Sequence, residues 1–481
     1  MSAGSRVRRN SVFSLLSFAA RLGSSFLLFV GIARIYGPEA FGQFTTANAV
    51  MALFLMLADL GLDTLLALEV ARSQATAATV LSRYAAVKAA IAGAATIIMV
   101  AIGLFQPFDQ TTSLLMIILG ASVVFSAMMN FEFALMRGLE QLHHETQVTI
   151  VINVAALALL ALVGFLQAPL TVVALVYAST RVAGYLLARH RASRVLGVAR
   201  MRLTFSGWAE VKGKTALFAA YLLFGYLFFQ IDTLLLAALK GSTDVGVYQA
   251  VFKVVAVALV IPDVGVAAML PTLARLHHDA PDQWLDLGGL MGRVLLLVGL
   301  PISLVMLVYP ECVLGALYGA GTFPEATTIM RIFAGVVWIR FIAETSGLML
   351  TTSGNQHLRV IITAVATGVN AGVNFLIIPA MGPTGAAYVS LGTNLLVAAG
   401  YMIAIRRRYP LALVGWRTGT TVVLTAAVAG VAWTLRDLPL CASLPVSVAA
   451  CVLLGLYVGL TRDERRKLFS FRIPAQAEGP A

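Results

Sequence analysis

Residues 37–61 read GPEAFGQFTTANAVMALFLMLADLG, and between Glu39 and Asp59 there is no charged residue. A helix of that length, at 1.5 Å per residue, reaches about 30 Å, the thickness of a bilayer's hydrocarbon core. The stretch GSTDVGVYQAVFKVVAVALVIPDVG at 241–265 repeats the frame at a constant offset. Gly37 meets Gly241, Gly42 meets Gly246, Phe44 meets Tyr248, and Asp59-Leu60-Gly61 meets Asp263-Val264-Gly265, without a gap. A second echo sets Gly138 before Asn153 against Gly354 before Asn370, with the spacing slipping by one. The chain is therefore read as a membrane protein built from a duplicated unit.

Apolar runs of similar length recur from Val12 to Leu460. The expected spans are 12–36, 43–71, 80–105, 112–137, 146–166, 169–190, 215–239, 245–274, 289–309, 325–350, 359–379, 385–405, 416–435 and 443–461. Backbone polar groups in lipid need internal partners, so these are helices, about fourteen in all. Composition agrees. Of 481 residues 59% are hydrophobic and 12% charged, with mean hydropathy +0.89. A soluble domain carries about a quarter charged residues. No cleavable signal peptide is apparent, and Arg6, Arg8 and Arg9 read as an uncleaved cytoplasmic anchor. Cys312, Cys441 and Cys451 form neither a disulfide framework nor a metal spacing.

The net charge of +12 marks cytoplasmic loops rather than a nucleic-acid partner. With the N-terminus inside, nearly every Lys and Arg falls in cytoplasmic loops or at span ends on that side, Arg137, Arg189, Arg293, Arg359 and Lys88 among them. Only Arg34, Lys240 and Arg436 fall opposite. Arg21, Arg181, Lys253, Arg331 and Arg340 fall within spans. This asymmetry supports an even number of spans with both termini cytoplasmic, in a multi-pass cell (inner) membrane protein. Four segments are expected: an N-terminal lobe at 1–190, a basic cytoplasmic linker at 191–214, a C-terminal lobe at 215–405, and the last two helices with a cytoplasmic tail at 406–481. The linker is a connector or a docking site for a cytoplasmic partner. Six spans per half is even, so the halves enter the membrane in the same sense, as parallel repeats.

A charge in mid-span costs at least about 2.5–3.5 kcal/mol, so each is a candidate for function. Arg21 lies roughly 18 Å along the helix from Arg9, too deep to snorkel easily, and a guanidinium can grip a diphosphate bidentately. Lys253 is some 12 Å from its outer helix end and is either a second cation for the same group or a snorkelling lysine. Asp59 and Asp63 lie one turn apart on one face; they are a coupling-ion site, or they pair with Arg21 or another cation. Arg340 and Glu344, at i and i+4, neutralise each other. Arg181, Arg331 and Glu132 are possible cavity residues. Asn153, Asn370, Asn374 and Asn394 are read as glue between helices before sugar ligands. Phe218, Tyr221, Phe224 and Phe228 are read as core or lipid-facing before sugar platforms. The six histidines fall at cytoplasmic ends without metal spacing. No phosphate-binding G-x-x-x-x-G-K-[ST] loop or nucleophile elbow is present, no outer loop is large, and no cofactor is expected.

The stretches IARIYGPEAFGQF (32–44), FFQIDTLLLAALKGSTDVGVYQAVFKV (228–254) and SGNQHLRVIITAVATGVNAGVNFLIIPAMGPTGAAYV (353–389) resemble the polysaccharide-transporter branch of the multidrug/oligosaccharidyl-lipid/polysaccharide exporter superfamily. That group includes O-antigen-type oligosaccharide flippases. The resemblance implies a V-shaped, all-α transporter of two parallel six-helix lobes plus two C-terminal helices, which in the lipid II flippase relative offer a groove for a lipid tail. It implies a polyprenyl-diphosphate oligosaccharide as substrate, moved from the cytoplasmic to the outer leaflet by alternating access. Membrane lipid and glycan-assembly membrane proteins are the implied partners. Arg21 fits the location of a cationic residue in the first span of relatives, Lys253 faces it across the cavity in relatives, and Asp232 matches a recurrent position with a gating or ion-binding role. The alternatives are a lipid II flippase, a drug/cation antiporter of the same superfamily, which Arg21 argues against, and a glycan polymerase or ligase.

Overall fold

A computed structural model describes residues 3–105, 108–197, 216–409, 416–434 and 440–469. The linker expected at 191–214 lies mostly outside the described residues, as do the side chains of Phe218, Tyr221 and Cys441. Among the described residues the fold is all-α. In chain order the helices are α1 (Ala3–Asp59), α2 (Leu62–Arg72), α3 (Ala77–Phe105), α4 (Gln110–Ala121), α5 (Val123–Gly138), α6 (Leu142–Phe165), α7 (Leu170–Leu196), α8 (Ala216–Leu239), α9 (Ser242–Asp279), α10 (Pro281–Val308), α11 (Pro310–Tyr318), α12 (Ala326–Thr352), α13 (Gln356–Arg406), α14 (Trp416–Thr434), α15 (Leu440–Leu454) and α16 (Arg462–Phe469).

Nine helices among the described residues are long and apolar enough to cross a membrane. Two of them, α1 and α13, are each two passes joined at a kink, at Gly37 (φ 80°) before Pro38 and at Gly382 (φ 57°) before Pro383. Shorter apolar stretches lie in α8 at Leu223–Leu239 and at Leu444–Gly459, where α15 is prolonged by a π turn, and α14 is a further helix of 19 residues. The polytopic helical architecture read from the apolar runs is thus present. Large apolar side chains such as Ile97, Leu104, Val154, Leu162 and Leu186 are more than half exposed, which in a bilayer is the lipid-facing surface.

The two copies of the repeated frame differ in one respect. In the first, Leu60 (φ 44°) and Gly61 (φ 81°) are left-handed and break the helix between α1 and α2. In the second, Asp263-Val264-Gly265 continues within α9. Asp59 offsets the break: its Oδ1 accepts the Asp63 amide at 3.0 Å, satisfying a donor that the start of α2 would otherwise leave unpaired.

The chain divides into two compact units. The first comprises Met1–Lys253, Leu317–Phe323 and Asn370–Ala386, and the second Val254–Ala316, Pro324–Val369 and Ala387–Ala481. The first has a core of Leu62, Leu66 and Val70 from α2, Tyr84 and Val87 from α3, Phe131 and Leu135 from α5, and Ala188 and Ala192 from α7. The alanines let α7 approach closely, as small residues do at membrane helix interfaces. In the second, Leu296, Leu300, Leu304 and Val308 form one stripe of α10 against Cys451 of α15.

Candidate functional site

Three helix faces of the first unit enclose a cavity of about 260 Å³. From α1 come Arg21, Ser24, Ser25 and Leu28, spaced i, i+3, i+4 and i+7. From α6 come Asn153, Ala156, Leu157 and Leu160, and from α7 Tyr177 and Arg181, one turn apart. Two guanidinium groups, two hydroxyls, an amide and a phenol thus face one space, and among the described residues no carboxylate lines it. The Arg21 side chain is 46% exposed and reaches Glu145 only at 3.5 Å, while Glu145 makes its closer bond, 3.0 Å, to Arg137. Arg181 lies over the Tyr177 ring at 4.6 Å, and its buried Nε has no hydrogen-bond partner. The sequence marks Arg181 only as a possible cavity residue. The i, i+4 spacing from Tyr177 was the available signal, and it says nothing about α1.

Lys253 is not among the residues lining this cavity. Its ammonium sits 3.7 Å from the centre of the Phe29 ring, one residue beyond Leu28 on α1. Phe29 in turn contacts Phe44, and Phe44 contacts Tyr177 edge-on. Cation–π attraction of this kind contributes about 2 kcal/mol when desolvated, so the ring partly replaces the water that Lys253 gives up.

Asp59 and Asp63 share one partner, Lys88 of α3, at 2.9 and 2.8 Å. The lysine is fully buried, and its ammonium also lies 5.8 Å from the Phe131 ring. This corrects the placement of Lys88 among the loop and span-end cations: α3 carries it into the core because two carboxylates await it there. Asp232 of α8 is buried. It accepts the Tyr248 hydroxyl at 2.5 Å and the Asn374 amide at 2.6 Å, and Asn374 also donates to Asn370 at 2.9 Å. The two asparagines act as glue, and Asp232 is what they bind.

Other charges expected within spans have partners among the described residues. Glu132, fully buried, meets Arg189 at 3.2 Å. Arg331 meets Glu311 at 2.6 Å. Arg340 and Glu344 pair at 3.0 Å as their spacing predicts, and Arg359 joins Glu344 at 3.2 Å. Asn153 donates to the Thr149 carbonyl at 2.8 Å, leaving its amide oxygen for the cavity. Of the aromatic run on α8, Phe228 is buried and Phe224 exposed.

The second unit holds a larger space, about 540 Å³ and almost entirely apolar. It is a groove between Val254 and Ala258 of α9, the Val294–Met306 face of α10, and Val448, Val452, Leu456 and Leu460 at the end of the chain's apolar sequence.

The fold is that of known transporters. The structure of the lipid II flippase MurJ, in an inward closed conformation, superposes with a TM-score of 0.73 at 11% identity, over 95% of this chain and 99% of that one. An inward-facing multidrug resistance MATE family transporter gives 0.65 at 14% identity, over 83% and 98%. A transporter of the same MOP superfamily from Pyrococcus furiosus, described as having a binding pocket of reverse polarity, gives 0.59 at 15%, over 85% and 96%. At these identities the shared property is the fold. No curated protein sequence is significantly similar to the chain. The family model described as polysaccharide biosynthesis protein matches residues 7–277, more than half of the chain, and this protein is a member of the polysaccharide biosynthesis protein family.

Proposed function

We propose that the protein is a flippase that carries a polyprenyl-diphosphate-linked oligosaccharide from the cytoplasmic to the outer leaflet by alternating access, with both termini cytoplasmic in an inner membrane. The observation that carries this reading is the cavity lined by Arg21 and Arg181 without a carboxylate. An anion of two to three charges finds there what it needs to leave water: planar donors that match phosphate oxygens in pairs. Ser24, Ser25, Asn153 and Tyr177 suit sugar hydroxyls. A cationic drug would be repelled by the same lining, which disfavours an antiporter. Lys253, held on Phe29 near the same helix face, is the cation available to a diphosphate as it moves along α1. The apolar groove of the second unit suits the prenyl chain, which gains nothing from a polar cavity. No bond is made or broken in this scheme.

For coupling, we propose that Asp232 carries the ion and that Asp59 and Asp63 act in gating. Lys88 already occupies the position between Asp59 and Asp63 that a cation would take. Asp232 has only neutral donors around it.

The test is transport in proteoliposomes with a labelled lipid-linked oligosaccharide. Arg21→Ala and Arg181→Ala should each lower the initial rate about tenfold or more, as loss of a charge-assisted pair implies. Arg21→Lys should also be impaired, because an ammonium cannot make the bidentate contact. Wild-type rates from all three would remove the arginines from the substrate path. A product with altered covalent structure would point to a polymerase or ligase instead.

A further inference from the structure

Asp109 is a charged group that the transport scheme leaves unused. It precedes α4, at the end of the first unit where the kink of α1 and the start of α9 also lie. Its carboxylate takes four donors: the Thr112 amide at 2.9 Å, the Thr112 hydroxyl at 2.6 Å, Gln43 Nε2 at 2.9 Å and the Ser242 hydroxyl at 3.1 Å. The two Thr112 bonds are local, the capping of α4 by its own N-terminal residue. The other two reach separate elements, Gln43 just past the α1 kink and Ser242 at the first position of α9.

Beside this carboxylate the backbones of those two elements touch. A Cβ on Gly42 would fall 1.6 Å from the Ser242 carbonyl oxygen, and one on Gly246 would fall 2.0 Å from the Pro38 carbonyl oxygen. Gly42 and Gly246 are equivalent positions of the repeated sequence frame, and they meet each other. Only glycine permits this approach. The contact therefore joins equivalent corners of the two copies of the frame, both within the first unit. In the orientation expected from the basic loops, the α1 kink, Asp109 and Ser242 all belong to the non-cytoplasmic face.

We propose that Asp109 is the latch of the outer gate: it ties the two repeat-related corners together and releases Ser242 when the transporter opens outward. The proposal rests on the alternating-access reading. The division of bonds suits the task. The Thr112 bonds lie within one element and do not depend on Ser242, so the carboxylate can release Ser242 and keep its local donors. Phe41, next to Gly42, is fully buried against Tyr318 and Phe323, and Tyr318 donates to the Ala250 carbonyl of α9, so this cluster packs beside the latch. A latch of this kind is tight enough to keep the gate closed at rest and weak enough to open in each cycle.

The test uses full-length protein with Cys312, Cys441 and Cys451 replaced by serine and a Ser24→Cys probe in the cavity. A membrane-impermeant thiol reagent is added from the non-cytoplasmic side. Asp109→Ala and Ser242→Ala should each raise the labelling rate, by about tenfold for Asp109→Ala, since bonds to a charged acceptor are the stronger kind. Unchanged labelling in both would overturn the latch. A second arm does not depend on Asp109→Ala folding. The Thr112 and Ser242 hydroxyls are 3.4 Å apart, so a Thr112→Cys/Ser242→Cys pair should oxidise to a disulfide that stops transport until reduced. Transport that continues at the wild-type rate through the oxidised pair would equally overturn it. Labelling requires no substrate, so the latch fails or stands independently of whether the cavity carries a glycolipid.

Discussion

Lys88 shows how one residue is held by its surroundings. Its ammonium is fully buried between two carboxylates, and each ion pair compensates a desolvation that neither group would survive alone. Removing the cation leaves two like charges facing each other in the core. Lys88→Met should therefore cost about 3–5 kcal/mol, read as a large fall in the thermal midpoint of the detergent-solubilised protein. Combining it with Asp59→Asn and Asp63→Asn should recover much of the loss. A Lys88→Met protein as stable as the wild type would mean that the triad contributes nothing. The sequence announced both carboxylates, one turn apart and short of a partner. It did not announce Lys88, because a cation beyond a basic loop is indistinguishable from the positive-inside signal until α3 is packed against α2. Arg181 was half-legible for the same reason: its depth was visible and its companionship with Arg21 was not. Spacing along one helix is written in the chain, whereas proximity between α1 and α7 is a product of packing.

At the scale of elements, the repeated frame predicts one shape and the structure gives two. Gly61 sits at φ 81° in a break, while Gly265 lies inside continuous α9, where an added Cβ would meet only Leu295 at an ordinary 3.7 Å. The same substitution should then act oppositely. Gly61→Ala forces a left-handed alanine and should destabilise by about 1 kcal/mol. Gly265→Ala should be neutral or stabilise by up to about 1 kcal/mol, as alanine does inside a helix. Thermal midpoints of the two variants moving in the same direction would refute the contrast. A second element carries its own signal in sequence: Thr461-Arg462-Asp463-Glu464 is a capping box, and the structure has Thr461 and Glu464 exchanging amide bonds at 2.8 and 3.2 Å, with Arg293 of α10 on the same glutamate. Burial alone would raise the Glu464 carboxyl, but the Thr461 amide, the Arg293 charge and the Thr461 hydroxyl outweigh it and hold the group below its ordinary value. A carboxyl depressed by folding stabilises above its unfolded value, about 4.3, and loses that contribution as pH falls through the folded one. Hydrogen exchange across α16 should thus be flat above about pH 5 after correction for intrinsic rates and speed up below about pH 4. Glu464→Gln should exchange faster throughout, without the acid step; an acid step retained in that variant would assign it to another group.

For the molecule as a whole, the passes were legible because a bilayer enforces one rule on every segment, that an uncharged run of sufficient length must be a helix. What the rule leaves silent is where charge is needed inside, and that is where function lies. Several charges within the helices are structural pairs: Glu132 with Arg189, Arg331 with Glu311 nearer the surface, and Arg340 with Glu344, which Arg359 also approaches. The one-to-one pairs cancel locally and can be carried through a conformational change at little electrical cost. The lining of the cavity does not cancel in full, since no carboxylate is among its described lining residues and Arg21 shares Glu145 with Arg137. Under the proposed function, a diphosphate neutralises this excess on the outward stroke, and the empty carrier returns positively charged. An inside-negative potential favours that return, by up to about 2.3 kcal/mol per charge for each 100 mV that the charge traverses. Multiple-turnover transport in proteoliposomes should therefore speed up when a potassium diffusion potential makes the cytoplasmic side negative and slow down when its sign is reversed. Arg181→Gln should flatten this voltage dependence even where its residual rate is low, because it removes a charge from the returning carrier. A voltage response in Arg181→Gln equal to that of the wild type would show that the moving charge resides elsewhere, and Asp232→Asn would then be the variant in which to look for it.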